Sequence, residues 1–147
     1  MDDTVVALRV AVKDFIRSVG LLEGKKSFCA DCSYAQCHAI TEVGAEPGIS
    51  LGELAGRVMM DKSALSRVID ELVRMGYIKR EQDPADRRYV KLALTAAGEG
   101  LRDEINERSG RVLAGVLAAI PEAKRAVAVE GIELLAAAFR STLPAGK

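Results

Sequence analysis

Three cysteines and the only histidine of this 147-residue chain fall within ten residues, in the segment FCADCSYAQCHAI. Cys29, Cys32, Cys37 and His38 form the pattern C-x2-C-x4-C-H. Three thiolates and one imidazole are a complete tetrahedral donor set for zinc, and C-x2-C is a common half of such a set. Soft thiolates equally suit copper(I), arsenite or an iron–sulfur cluster. Cys37 and His38 are neighbours on one expected helix, so their side chains diverge by about 100°. Both reach one ion only where the helix start is irregular; the other set is Cys29, Cys32 and Cys37 with a donor from elsewhere. A second chemistry is redox. Cys29 and Cys32 are close enough in sequence for a disulfide, and Cys37 lies near a helix start, where thiolates are favoured. A third use is packing alone, with Cys37 as a small core residue and His38 as a satisfied polar one. Packing explains Cys29 and Cys32 poorly, because both precede the helix in polar surroundings. The pattern admits a metal or a cluster without requiring any cofactor.

A second group of such residues lies between Ser50 and Thr95. Lys62, Ser63, Ser66 and Arg67 share the early turns of one expected helix, opposite the apolar stripe Leu65, Val68, Ile69, Leu72 and Val73. Donors of this kind can meet base edges and phosphates, and an arginine can bond a guanine edge through two hydrogens at once. Asp70 and Glu71 follow where such a helix should be leaving the groove. Further on, the loop QDPADRR brings Asp86 beside Arg87 and Arg88. An arginine at a hairpin tip suits the negative potential of a narrow minor groove. A carboxylate two residues away can orient it.

The elements that must position these groups follow from spacing. Val5, Leu8, Val12, Phe15, Ile16 and Val19 predict a first helix over about Thr4–Val19. A second is expected over about Ser33–Val43, stopped at Gly44. Ser50 and Glu53 form a capping box for a third helix, with Leu51, Leu54, Ala55 and Val58 on its apolar face. Asp61 is the expected N-cap of the fourth, which ends at Gly76. Two strands are predicted, about Tyr77–Glu81 and Tyr89–Leu94; Val90, Leu92 and Leu94 alternate with Lys91 and Ala93. Thr95 should cap a long helix to about Ala119, and Pro121 should begin a last one reaching about Ser141. Helix, tight turn, helix and charged hairpin make a helix-turn-helix with a wing, a device for gripping double-stranded DNA. The fold class is therefore mainly α with a small β-hairpin wing.

Composition sets the limits. A chain of this length is expected to form one domain, 1–147, with a core that needs no staples. Hydrophobic residues make up 49% and aromatics 4%, which favours alanine- and leucine-rich helix packing. Basic and acidic residues balance at 21 each, so contact with phosphate would depend on a local basic face. No apolar run approaches the ~18–20 residues of a membrane span, so no membrane partner is expected. The acidic N-terminus MDDTVVALRV lacks the basic start of a secretory signal. A cytoplasmic location is expected, where cysteines serve as thiols or ligands more than as structural disulfides.

The stretch LGELAGRVMMDKSALSRVIDELVRMGYIKR, followed by DPADRRYVKLALT and AAG, resembles the MarR family of winged helix-turn-helix transcriptional regulators. That resemblance implies a homodimer that binds a palindromic or near-palindromic operator, usually as a repressor, and answers to a small effector the sequence does not identify. It divides the chain into a DNA-binding part at 33–95 and dimerisation helices at 1–24 and 100–147. It makes 61–76 the recognition helix and 77–94 the wing. By position, Arg67 matches the recognition-helix arginine, and Asp86 and Arg88 match a D-x-R pair, with Arg88 in the minor groove and Arg87 on phosphate. Some members respond to oxidants through cysteine, others to metals or small phenolic ligands; the resemblance permits all of these and selects none, and metal or redox sensing would fall to Cys29, Cys32, Cys37 and His38. Two-fold symmetry would set half-sites about one helical turn (~10 bp) apart.

Two other classes compete. A thiol–disulfide enzyme using Cys29-x-x-Cys32 would need a strand before the motif and a helix after it, and no strand is predicted there. No acid–base pair or phosphate loop appears, so no enzyme activity is expected. A winged-helix module that binds protein instead of DNA is compatible with the neutral net charge.

Overall fold

The computed structural model describes residues 2–23 and 32–143. Its elements are α1 (Asp3–Glu23), α2 (Tyr34–Ala45), β1 (Ile49–Ser50), α3 (Leu51–Val58), α4 (Lys62–Arg74), β2 (Ile78–Gln82), β3 (Val90–Leu94), α5 (Ala96–Ala118) and α6 (Glu122–Thr142). Among the described residues no helix is long and apolar enough to cross a membrane.

Helix α2 is the hub, packing against α3, α4, β3 and α5. It begins with a capping box: Gln36 N–H donates to Ser33 Oγ at 3.2 Å, and Ser33 N–H donates to Gln36 Oε1 at 2.9 Å. Ile40 and Val43 from α2, Leu54 from α3, and Leu65, Ile69 and Leu72 from α4 are sealed together with Ile49, Ile78 and Leu92. Each such side chain contributes roughly 1.5–3 kcal/mol by leaving water. The stripes predicted for α3 and α4 are therefore the faces that build the core.

The hairpin pairs antiparallel, with Ile78 opposite Leu94 and Gln82 opposite Val90. The sheet has a third strand beyond the two that the sequence predicts. β1 adds to the far side of β3, Ile49 opposite Leu92, giving the order β1-β3-β2. Two residues carry no periodicity that could announce a strand; here the pairing is made by burying Ile49 against Leu92.

Two local expectations change. The first helix is longer than predicted and runs to Glu23. Gly44 does not end α2, which continues to Ala45. A Cβ at Gly44 would stand 2.6 Å from Arg102 Cδ and 2.9 Å from Leu94 Cδ1, so this glycine admits close approach of α5 and is not a left-handed cap. The turn after α3 is instead made by a non-glycine residue, Met59 at φ 54°. A left-handed side-chain-bearing residue costs roughly 1–2 kcal/mol, and the sequence carries no glycine to signal that turn.

The exit from α4 is tied to α5 through one hydroxyl. Thr95 Oγ1 accepts from Gly98 N–H at 3.1 Å and donates to the Gly76 carbonyl at 2.6 Å. Gly76 itself is left-handed, at φ 82°. Gly98 lies against the Tyr77 carbonyl so closely that any Cβ would collide with it.

Candidate nucleic-acid interface

Helix α4 is set by its N-cap. The Asp61 carboxylate accepts from the amides of Ser63 at 3.0 Å and Ala64 at 3.2 Å. With Leu65, Ile69 and Leu72 fully buried, the opposite face turns Lys62, Ser63 and Arg67 to solvent and leaves Ser66 half-buried. Among the described residues Lys62, Arg67 and Arg87 have no ion-pair or hydrogen-bond partner for their side chains. These cations are available to an outside anion, and Lys62 lies at the N-terminus of α4, which itself favours negative charge.

The acidic residues of the same helix are already engaged. Asp70 is bonded by Arg80 of β2, and Glu71 accepts from Gln36 Nε2 at 3.0 Å. Arg80 had no signal in the sequence, because its approach to Asp70 depends on the reversal at Gly76. Asp70 thus ties α4 to β2 and is already paired with a cation.

The wing loop is stiffened by two carboxylates. Asp83 accepts from the Ala85 amide at 2.9 Å and faces Lys91 Nζ at 3.2 Å. Asp86 accepts from the Arg88 amide at 3.1 Å, from Arg88 Nε at 3.0 Å and from Nη2 at 2.8 Å. Tyr89 N–H donates to the Asp86 carbonyl at 3.0 Å and closes the turn. The guanidinium bonds hold the Asp86 carboxyl below its ordinary range and push Arg88 upward; the Ala85 amide, then Lys91, lowers Asp83. Both carboxylates are therefore ionised at neutral pH. The Arg88 side chain is 85% exposed. Of the five N–H hydrogens on a guanidinium, the two not directed at Asp86 on Nη1 and one on Nη2 point elsewhere. Asp86 fixes the arginine without using it up.

The cysteine cluster is only partly within the described residues; Cys29 lies outside them. Cys37 is 3% exposed and belongs to the core with Ala39 and Ile40, and Cys32 packs against that core from its edge. His38 points elsewhere, its ring centroid 4.3 Å from that of Tyr34. Among the described residues no three ligating groups come together as a metal site. The set Cys32, Cys37 and His38 is not assembled, because successive residues of α2 face the core and the flank.

Comparison with known proteins bears on these elements directly. The model of the MarR family matches residues 32–90. This match makes the chain similar to MarR-family regulators over its central segment. The matched span holds α2, the helix-turn-helix and the wing loop, and so contains Lys62, Ser63, Ser66, Arg67, Asp86, Arg87 and Arg88. One relative is the HTH-type transcriptional regulator SarZ of Staphylococcus saprophyticus, 26% identical over 82 residues, or 56% of each chain. The chain spans about half the length of the curated relatives it matches, 56% of SarZ and 39% of TtmR from Methylorubrum extorquens. The crystal structure of MarR aligns with TM-score 0.70 and 28% identity, covering 88% of this chain and 94% of that one. Streptococcus pneumoniae FabT, crystallised in complex with DNA, shares the fold at TM-score 0.79 and 20% identity, over 96% of this chain and 100% of that one. SarZ and TtmR are both HTH-type transcriptional regulators.

Proposed function

We propose that this protein is a MarR-family homodimeric repressor that binds a palindromic DNA operator through α4 and the wing. The observation that carries this reading is the wing itself: Asp86 grips Arg88 through two guanidinium nitrogens while the side chain stays exposed. Nothing in the fold of the single chain needs that arginine held outward. Lys62, Ser63, Ser66 and Arg67 would meet the major groove and its phosphates, Arg87 a phosphate, and Arg88 the minor groove. FabT, crystallised in complex with DNA, has the same fold.

Dimerisation is supported by apolar surface that one chain leaves bare. Helix α6 has no buried residue, and Val127, Ile132, Leu134 and Phe139 are between 44% and 65% exposed. Phe15 and Ile16 of α1 are 52% and 63% exposed. Between α1 and α6 runs a groove of about 620 Å³ lined by Leu8, Phe15, Ile132 and Phe139 among others. A second copy would cover these faces, so the dimerisation segments are 1–24 and 100–147 and the DNA-binding part is 33–95. A cytoplasmic location fits this role. A small effector would act on the dimer. If cysteine chemistry supplies that signal, Cys37 is placed for packing, and Cys32, beside the N-cap of α2, is the described thiol nearest the surface.

The test is binding to duplex DNA across a salt series. Contacts to some five to nine phosphates give a slope of log affinity on log salt of roughly −4 to −8. A slope near zero, or binding confined to protein partners, would favour the protein-interaction module.

A further inference from the structure

Gln36 is the only buried side chain with a polar head among the described residues, at 8% exposure. Both ends of its amide are used. Oε1 accepts from Ser33 N–H at 2.9 Å, which completes the cap of α2. Nε2 donates to Glu71 Oε2 at 3.0 Å, on α4. The other oxygen of Glu71 faces Arg74 Nη2 at 3.5 Å. A continuous path of hydrogen bonds thus runs from Ser33, directly after Cys32, into the helix that carries Arg67.

Capping alone does not call for glutamine. A glutamate at the third helical position caps as well, because only its oxygen is needed. The amide nitrogen is surplus to the cap, and its one partner is Glu71. A glutamate at 36 would set two carboxylates within hydrogen-bond distance of each other. Glu71 lies one turn beyond Arg67, four residues on and on the same side of α4. The apolar stripe Leu65, Ile69 and Leu72 fixes the distance of α4 from the core, but apolar contact is non-directional. A charge-assisted hydrogen bond is directional and roughly twice as strong as a neutral one, and this one joins the buried Gln36 to a half-exposed Glu71. It can therefore set the rotation of α4 about its own axis, and with it the aim of Arg67.

We infer that Gln36 is a positioning residue for DNA recognition, acting through Glu71 to hold α4 in the rotation that presents Arg67. This role rests on the DNA-binding reading. It also links the start of α2 to the DNA-reading face, since displacement of Ser33 would be passed through one side chain to Glu71.

The test uses the full chain and a 30-bp duplex selected by the wild-type protein from a random pool. Glu71→Ala removes a negative charge from a DNA-facing helix, so electrostatics alone would tighten binding. Positioning requires the opposite, a loss of at least fivefold. Glu71→Gln keeps an acceptor for Gln36 and should bind within twofold of wild type or tighter. Gln36→Glu keeps the cap, opposes Glu71, and should lose at least tenfold. The double variant Gln36→Glu, Glu71→Gln restores one donor and one acceptor and should return to within threefold. Amide hydrogen exchange supplies a readout without DNA: residues 71–75 should exchange faster in Glu71→Ala, while 37–41 stay protected. Unchanged or tighter binding by Glu71→Ala, or failure of the double variant to recover, would overturn the role with the DNA reading intact. A wild-type protein that selects no duplex would overturn both.

Discussion

Arg88→Ala will weaken binding to a selected duplex at least tenfold, with the helical content and thermal midpoint of the protein unchanged. The guanidinium is exposed and held by Asp86 in two directions, so the chain has already given up its freedom before DNA arrives. Binding is improved when ordering is completed in advance. Removing the side chain deletes a cation and its three outward N–H groups. It also leaves the Asp86 carboxylate, ionised at neutral pH, facing phosphate without its counter-charge. In the proposed dimer there would be two wings, so each loss would count twice. Arg88→Lys should fall between, because it keeps the charge and loses the paired geometry. Fluorescence anisotropy at fixed salt reads both variants; wild-type affinity in Arg88→Ala would mean that the wing does not touch DNA.

Ile132→Asp will convert the protein to a monomer and reduce duplex affinity more than a hundredfold. Ile132 lies 47% exposed on α6, a helix with no residue buried by its own chain. The substitution is therefore tolerated by the monomer fold. In a two-chain interface it would bury a carboxylate among apolar side chains with no partner, at a cost of several kcal/mol for each copy. A single half-site then has to bind alone, without the effective concentration gained by linking two recognition units. Light scattering gives the mass and circular dichroism the fold. A dimer that survives Ile132→Asp would place the interface elsewhere.

The elements that built the core were legible because their periodicity is enforced by burial. The stripe Leu65, Ile69 and Leu72 was read from spacing, and those residues are fully buried. Caps were legible for a related reason. Ser50, Asp61 and Thr95 each sit one residue before a helix and accept its amides. Ser33 and Gln36 form the same box and could have been found by the same rule. What escaped was tertiary. β1 is two residues long and exists only because β3 is beside it. The Asp70–Arg80 and Glu71–Gln36 pairs join residues ten and 35 positions apart, separations that no local pattern encodes. Gly44 reads as a helix stop but lies inside α2, because glycine serves two purposes, left-handed turns and close approach, and the sequence does not say which. The cysteines looked like one cluster because they are near in sequence. On α2, Cys37 faces the core and His38 faces Tyr34.

The most direct test of a two-fold DNA-binding dimer is selection by the wild-type protein from a random pool of duplexes, followed by sequencing of what it retains. The expected product is an inverted repeat whose half-sites are centred about one helical turn (~10 bp) apart, or a multiple of that, with A·T-rich steps where the wings would reach the minor groove. Retention of duplexes without a shared or symmetric sequence, or no retention at low salt, would contradict it.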